Sequence, residues 1–324
     1  MKPAAVIEPA LPGAPAEPPT VAPGHAGLSP DELEHPPGLF GDLCELVKAR
    51  LTSLVLVTTL AGFYMGWRGP IDFARMFNAL FGTALVAGGA AALHELIERR
   101  PDGVMHRTCG RPLPTGRISP DAALLIGFAL AAAGLPYLFY LVNPLTGMLA
   151  ALTIGIYLFV YTPLKRRTTL NPLVGAVPGA LPPMIGWAAA RGTLGVQAWA
   201  LFAILFCWQM PHFLAIAWMY REDYARGGFV MLPNVDADGR GTGRQAVNYS
   251  FALLLVSLTP TLLGFAGRGY FFGAFVLGAG MIFCAARLQL APGRTHARQL
   301  FFASIIYLPL LLALLAACKL VPAP

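Results

Sequence analysis

The chain has 324 residues, of which 56% are hydrophobic and only 12% are charged, and its mean hydropathy is +0.62. A soluble domain carries about 25% charged residues, so this composition excludes a soluble enzyme, a secreted disulfide scaffold and a disordered protein. The long apolar runs lack the polar alternation of a β-barrel. The net charge of +7 does not indicate nucleic acid as a partner, because the bases stand between apolar runs. The composition predicts an all-α integral membrane protein.

The amino-terminal segment, residues 1–38, is rich in Pro and Ala and lacks the continuous apolar stretch of a signal peptide. It is predicted to be a disordered cytoplasmic tail. The amphipathic segment 39–50 predicts a short helix at the membrane interface. Residues 39–320 are then the predicted transmembrane domain.

Nine apolar runs are long enough to cross a bilayer core of about 30 Å as helices. They cover residues 51–67, 76–97, 121–141, 144–161, 170–190, 198–219, 248–266, 270–287 and 299–318. With nine spans, 18 of the Lys and Arg residues fall on one side and 5 on the other. Because positive residues accumulate on the cytoplasmic side, the amino terminus is predicted to be cytoplasmic and the carboxyl terminus to lie on the opposite side.

The second run leads into an acidic and basic motif, HELIERRPDGVMHRTCGRPLPTGR, at residues 94–117. Its acids and the bases that follow them are Glu95, Glu98, Asp102, Arg107, Arg111 and Arg117. The spacing puts the three carboxylates on one helix face, although Pro101 is expected to kink or end the helix near Arg100. Carboxylates at membrane depth are costly unless they are paired or metal-bound. The motif predicts a magnesium-bridged diphosphate site; the alternative is a solvated loop held by salt bridges.

Two later loops, residues 161–172 and 220–233, carry further clustered charges. These are Lys165, Arg166, Arg167, Glu222, Asp223 and Arg226. Taken alone, loop 161–172 is equally well explained as a membrane anchor, and loop 220–233 is better explained as an ordinary loop. Two acidic clusters and a basic loop on one membrane face together predict a shared site for a metal ion and an anion.

The sixth run contains WQMPHF, in which His212 directly follows Pro211. A histidine inside a membrane helix is a candidate functional residue, and a hydrogen-bonded core histidine is the alternative. Trp208, Gln209 and Phe213 either line a flat aromatic pocket or serve in packing.

Four blocks of the sequence resemble the protoheme IX farnesyltransferases, a branch of the UbiA superfamily of intramembrane prenyltransferases. In order they are LTSLVLVTTLAGFYMG, ERRPDGVMHRTCGRPLPTGRIS, VYTPLKRRTTLNPLVGAVPGALPPMIGWAA and WQMPHFLAIAWMYREDYARGGFVMLP. The resemblance implies nine transmembrane helices in a bundle around a central cavity, in the bacterial inner membrane. It also implies magnesium-dependent transfer of a farnesyl group from farnesyl diphosphate to a vinyl group of haem B, giving haem O. A downstream haem A synthase or terminal oxidase is the implied protein partner.

The resemblance further implies roles for individual residues. Glu95, Glu98, Asp102, Glu222 and Asp223 would bind magnesium, and Lys48, Arg107, Arg111, Lys165 and Arg226 would bind the diphosphate. Glu95, Glu98, Asp102, Asp223 and Lys165 would be catalytic, and His212 and Trp208 would contact haem.

The sequence departs from the first superfamily motif, Asn-Asp-x-x-Asp-x-x-x-Asp. His94 stands in place of the Asn, and Glu95 and Glu98 replace the first two Asp residues. Arg100 stands where the haem branch commonly has a further Asp.

Two other functions fit parts of the pattern. A sister prenyltransferase acting on a quinone precursor or a chlorin would share the charged motifs, but the block at residues 220–233 resembles the haem branch. A membrane transporter would fit the composition, but no pair of broken helices stands out in the two halves of the sequence.

Overall fold

The computed structural model describes residues 38–236 and 238–320. Regular structure in these residues is helical, apart from a single antiparallel bridge between Ala266 and Lys319. This confirms the predicted all-α class. The predicted disordered tail lies outside the described residues except for Gly38, and so do residues 321–324.

Twelve helices follow one another in the described chain, and three of them are short. The short helices are α1 (Leu39–Leu46), α8 (Arg221–Arg226) and α9 (Leu232–Val235). The long helices are α2 (Ala49–Gly66), α3 (Phe73–Val104), α4 (Pro120–Leu141), α5 (Pro144–Leu164), α6 (Asn171–Arg191), α7 (Val196–Met219), α10 (Arg240–Leu262), α11 (Arg268–Leu290) and α12 (Arg294–Ala317). Each of the nine predicted runs overlaps one long helix.

Eight of these long helices, within the described ranges, are apolar enough to cross a membrane. The exception is α10, whose 23 residues begin with polar turns that contain Arg240 and Arg244. A rise of about 1.5 Å per residue still makes α10 long enough to span a bilayer core. Hydropathy therefore supports eight of the nine predicted spans, and α10 qualifies by its length.

The second span is predicted to kink or end near Arg100, and it does not end there. Helix α3 continues through Pro101 to Val104. The carbonyl oxygen of Asp102 accepts hydrogen bonds from the Thr108 hydroxyl at 3.0 Å and the Met105 amide at 3.3 Å. These contacts from the following loop stabilise the last turn, which proline alone would weaken.

Helices α3 and α4 pack at close range because small residues face each other. A Cβ atom on Gly89 would lie 2.8 Å from the carbonyl oxygen of Gly127. Between helices in lipid, such small residues permit the van der Waals contact that drives association. This contact fixes α3, which carries the acidic motif, against its neighbour.

The apolar core falls into two main parts. One cluster joins α7 with α10, α11 and α12, and it includes the fully buried Tyr270, Leu253 and Leu311. A smaller cluster joins α3, α4, α5 and α6. The first charged motif of the sequence begins at the carboxyl end of α3, which belongs to the second part.

Candidate active site

The last third of α3 carries four buried ionisable side chains: His94, Glu95, Glu98 and Asp102. Glu95 is completely buried, and the other three are at most 6% exposed. Ionisable groups at this depth need partners, because burial of an unpaired charge is costly. The loops that follow α1, α3 and α5 supply most of those partners.

Glu98 is paired with Lys165, which follows α5. The Lys165 ammonium donates to both carboxylate oxygens of Glu98, at 2.8 and 3.1 Å, and lies 3.1 Å from Nε2 of His94. It also lies 4.7 Å from the centre of the Tyr161 ring. The predicted acidic and basic residues therefore meet in space.

Asp102 is paired with Arg111 from the loop between α3 and α4. The guanidinium of Arg111 donates to Oδ2 of Asp102 at 2.7 Å. Arg117, which the motif also grouped with the carboxylates, pairs instead with Asp42 of α1 at 2.8 Å. Arg117 therefore tethers α1 to the loop and does not join the cluster.

Lys48 reaches the cluster from the turn between α1 and α2. Among the described residues it is the only non-glycine residue with a positive φ, +47°. This conformation is unfavourable for a side-chain-bearing residue and is typical of functional sites. Its ammonium lies 3.2 Å from Nδ1 of His94. Burial, with the positive charges of Arg111 and Lys165 nearby, lowers the pKa of Lys48 to about 8.

Asp223, in the first turn of α8, connects the second acidic cluster to the loop after α3. Its carboxylate accepts hydrogen bonds from the backbone amides of His106 at 3.0 Å and Arg107 at 3.3 Å, and from the Arg226 side chain. Burial alone would raise the pKa of Asp223, but these hydrogen bonds hold it below its usual value.

The neighbouring Glu222 behaves differently from Asp223. Glu222 is exposed and forms no ion pair with any residue that the structure describes. It lines a cavity of about 630 Å³ together with Trp218, Arg221 and Arg294. Of these two predicted magnesium ligands, only Asp223 points its carboxylate at the loop after α3.

Arg107 is held by aromatic rings. Its guanidinium carbon lies 5.4 Å from the centre of the Tyr220 ring and 5.8 Å from that of Tyr224. Cation–π contacts hold a cation without neutralising its charge. Arg107 therefore remains available to an anion.

The predicted metal ligands do not form a ready-made coordination sphere. Over residues 38–236 and 238–320, no three His, Cys, Asp or Glu side chains are arranged to hold a metal ion. Glu98 and Asp102 form ion pairs with Lys165 and Arg111. Both oxygens of Glu95, however, are buried without a hydrogen-bond partner. A hard divalent cation would satisfy such an orphaned carboxylate, so the donor set fits magnesium, while the full ligand set stays a prediction.

The predicted haem contacts lie between α7 and α12. His212 stacks on Trp208, with ring centres 5.2 Å apart, and on Phe301 at 5.1 Å. Its Nδ1 lies 2.8 Å from the hydroxyl oxygen of Ser304, which itself donates to the Phe301 carbonyl oxygen at 2.6 Å. A hydroxyl has one proton, so His212 donates from Nδ1 and keeps a lone pair on Nε2.

The flat aromatic surface predicted around His212 is present in part. Trp208 donates from its ring nitrogen to the Ser304 carbonyl oxygen at 2.8 Å. Gln209 faces the other way and donates to the Ala176 carbonyl oxygen of α6 at 3.3 Å. The role of His212 and Trp208 in haem binding stays a prediction.

Sequence analysis did not single out three aromatic residues of the site. Tyr157 stacks on His94, with ring centres 4.7 Å apart, and on Tyr161 at 5.8 Å. The ring centre of Phe229 lies 5.5 Å from the Lys165 ammonium. The spacing of four between Tyr161 and Lys165 could have indicated a shared helix face. The π-helical stretch Ile156–Tyr161, which orients Tyr157, has no simple sequence signal.

The UbiA prenyltransferase family matches the chain over residues 55–308. A protoheme IX farnesyltransferase from Solibacter usitatus is 48% identical over 283 residues, which cover 85% of this chain and 97% of that relative. A protoheme IX farnesyltransferase from Koribacter versatilis is 47% identical over 287 residues, which cover 86% of this chain and 93% of that relative.

Solved structures share the arrangement of helices. A digeranylgeranylglyceryl phosphate synthase superposes with a TM-score of 0.73 at 15% identity, covering 86% of this chain and 98% of that chain. A UbiA homologue from Archaeoglobus fulgidus, bound to GPP and Mg²⁺, gives a TM-score of 0.60 at 16% identity, with 85% and 99% covered. At such low identity these likenesses establish the fold alone.

Proposed function

The chain belongs to the UbiA prenyltransferase family, and we propose that it transfers a farnesyl group from farnesyl diphosphate to a vinyl group of haem B, giving haem O. The observation that carries the proposal is the buried cluster at the end of α3, where cations from three loops meet three acidic side chains. Such a cluster suits a diphosphate leaving group. The choice of haem B and of the farnesyl chain follows from the full-length relatives.

The cationic side chains bind and orient the diphosphate. Lys48, Arg107, Arg111, Lys165 and Arg226 donate hydrogen bonds to its oxygens and stabilise the negative charge that grows as it leaves. Glu95, Glu98, Asp102 and Asp223 would hold magnesium, which supplies further polarisation of the diphosphate oxygens when bound. The orphaned oxygens of Glu95 support this part of the proposal.

The reaction itself is an electrophilic addition. The bond between the farnesyl carbon and the diphosphate oxygen breaks, and its electron pair stays with the diphosphate. The vinyl π electrons of haem B form the new carbon–carbon bond and leave a cation on the porphyrin side. Water adds to that cation and releases a proton, which leaves a hydroxyl group on the product.

Aromatic residues protect the allylic cation. The rings of Tyr157, Tyr161 and Phe229 lie beside Lys165 and exclude water from the leaving group. Their π faces also attract a cation. His212, with its Nε2 lone pair, and Trp208 contact the haem substrate from α7.

We also propose that the protein lies in the bacterial inner membrane with its amino terminus in the cytoplasm. The distribution of Lys and Arg residues, 18 on one side and 5 on the other, supports this orientation. The active-site cluster then opens to the cytoplasmic face. The haem product passes to a downstream haem A synthase or terminal oxidase.

The test is a turnover assay with the purified protein in detergent. The protein is incubated with haem B, farnesyl diphosphate and magnesium chloride, and the porphyrin products are identified by mass spectrometry. We expect a porphyrin that has gained one farnesyl group and one hydroxyl group. Turnover of a quinone precursor or a chlorin in place of haem B would contradict the proposed substrate, and no prenyl transfer to any acceptor would contradict the proposed reaction.

A further inference from the structure

The five cations of the active site are held in two different ways. Three of them form ion pairs with carboxylates: Lys165 with Glu98, Arg111 with Asp102, and Arg226 with Asp223. The other two, Lys48 and Arg107, form no ion pair with a carboxylate among the residues that the structure describes. Lys48 is held by the imidazole of His94, and Arg107 is held by tyrosine rings.

His94 lies between two ammonium groups, so its ring is neutral and can accept a hydrogen bond at only one nitrogen. Its Nδ1 lies 3.2 Å from the ammonium of Lys48, which can only donate. Its Nε2 lies 3.1 Å from the Lys165 ammonium and 3.3 Å from Oε2 of Glu98. Lys165 already donates to both oxygens of Glu98, whereas Lys48 has no carboxylate partner among the described residues, so we assign the Nε2 proton to Glu98 and the Nδ1 lone pair to Lys48. His94 is then neutral, with both nitrogens paired.

A neutral acceptor has a specific consequence for Lys48. A carboxylate in the same place would fix the ammonium but cancel its charge, whereas a neutral imidazole fixes the ammonium and leaves its charge in place. The imidazole is itself immobilised by stacking on Tyr157, with ring planes 14° apart. The backbone of Lys48, with φ at +47°, is also held in an unusual conformation beside it.

We propose that His94 is a positioning residue that holds the Lys48 ammonium, with its charge intact, where the diphosphate of the substrate binds. This inference rests on the proposed function for the identity of the anion. It explains why a histidine is compatible with the position at which the superfamily motif has an asparagine. Both side chains carry a neutral hydrogen-bond acceptor bonded to Cγ: Oδ1 in asparagine and Nδ1 in histidine.

The sharpest test uses two substitutions that differ only in charge. His94→Asn and His94→Asp both place an oxygen near the present position of Nδ1. We expect His94→Asn to bind inorganic pyrophosphate within about threefold of the wild type and His94→Asp to bind it about tenfold more weakly. Binding is measured by isothermal titration calorimetry on the purified protein with magnesium chloride and without haem, and folding is checked by thermal unfolding. Equal affinity in the two variants, whether high or low, would overturn the proposal.

A double-mutant cycle tests whether His94 acts through Lys48. We expect His94→Ala and Lys48→Met each to weaken pyrophosphate binding about tenfold, and the double variant to be no more than about threefold weaker than either. In turnover, the KM for farnesyl diphosphate should rise and the KM for haem B should stay constant. Additive losses would mean that His94 does not act through Lys48. If His94→Ala does not fold, the comparison of His94→Asn with His94→Asp tests the proposal by itself.

Failure of this inference is distinguishable from failure of the proposed function. The wild-type product assay tests prenyl transfer to haem B, and it does not depend on any His94 variant. A wild type that makes haem O, with pyrophosphate affinity unaffected by His94→Asp, would refute the role of His94 alone.

Discussion

Two histidines in membrane helices of this protein have almost opposite surroundings. His94 lies between two lysines and a glutamate, and only one face of its ring stacks on an aromatic neighbour, Tyr157. His212 lies between Trp208 and Phe301, and among the described residues its only polar partner is the Ser304 hydroxyl. One histidine belongs to an ionic cluster, and the other belongs to an aromatic one.

The difference shows how partners decide the use of a buried imidazole. At His94 both nitrogens are engaged by protein groups, so the ring can orient neighbours but has no free lone pair for a ligand. At His212 the Ser304 hydroxyl engages Nδ1 and leaves the lone pair of Nε2 available. The ionic region therefore suits the diphosphate, and the aromatic region suits the porphyrin.

The largest effects are expected from the carboxylates of the ionic region. Glu98→Gln and Asp102→Asn should each lower kcat about a hundredfold, because an uncharged amide cannot supply the negative charge that balances Lys165, Arg111 or a divalent cation. Steady-state turnover at saturating magnesium measures this. Asp121→Asn is the matched control, because Asp121 is exposed and belongs to no predicted site, and it should change kcat less than about twofold. Near-normal turnover in both Glu98→Gln and Asp102→Asn would show that the reaction does not need these two carboxylates.

A smaller and selective effect is expected at His212. His212→Ala should raise the KM for haem B about tenfold and leave the KM for farnesyl diphosphate unchanged, because the ring contacts only the proposed porphyrin site. The absorption spectrum of bound haem should shift if Nε2 is an axial ligand. A variant with wild-type haem kinetics and spectrum would show that His212 is a packed core residue, and the comparison with His94 would then lose its functional meaning.

Much of this organisation could be predicted from the sequence. The nine apolar runs predict nine helices, because a backbone that crosses lipid must form its hydrogen bonds within the segment. The charged residues between the runs mark the loops. The clustering of Glu98, Asp102, Lys165 and Arg111 follows from their common membrane face. Hydropathy is least informative for α10, where polar turns extend a real helix beyond its apolar part.

Other features depend on side-chain geometry that spacing does not encode. Arg117 belongs to the same basic motif as Arg111, but its ion pair with Asp42 of α1 holds it outside the acidic cluster. Glu222 and Asp223 are adjacent, and only the direction of a short helix decides which of them faces the loop after α3. The roles of Tyr157 and His94 depend on a π-helical turn and on a left-handed residue, and neither has a reliable sequence signal.

The ionic region should also respond to pH through Lys48. Its pKa is lowered to about 8, so the ammonium is charged below that pH and loses its charge as the pH rises through it. The pyrophosphate affinity of the wild type should therefore fall about fivefold relative to Lys48→Arg between neutral pH and about pH 9, because arginine stays charged throughout this range. Titration calorimetry across this range measures it. Lys48→Met should show no such relative fall, since pyrophosphate ionisation affects all three proteins alike.

The smallest effect is expected from the hydroxyl that orients His212. Ser304→Ala removes the acceptor for the Nδ1 proton, so the imidazole is free to carry its proton on Nε2 and lose the lone pair that faces the proposed porphyrin site. A single neutral hydrogen bond contributes about 1 kcal/mol, so we expect the KM for haem B to rise about threefold. Ser304→Thr is the matched control, because it keeps the hydroxyl, and it should retain wild-type haem kinetics if the added methyl group is accommodated. Pyrophosphate affinity should be the same in both variants, because the ionic region does not contact α12 residue Ser304. An equal loss of haem and pyrophosphate affinity in Ser304→Ala would mean that the ionic and aromatic regions are coupled through the bundle rather than separate binding sites.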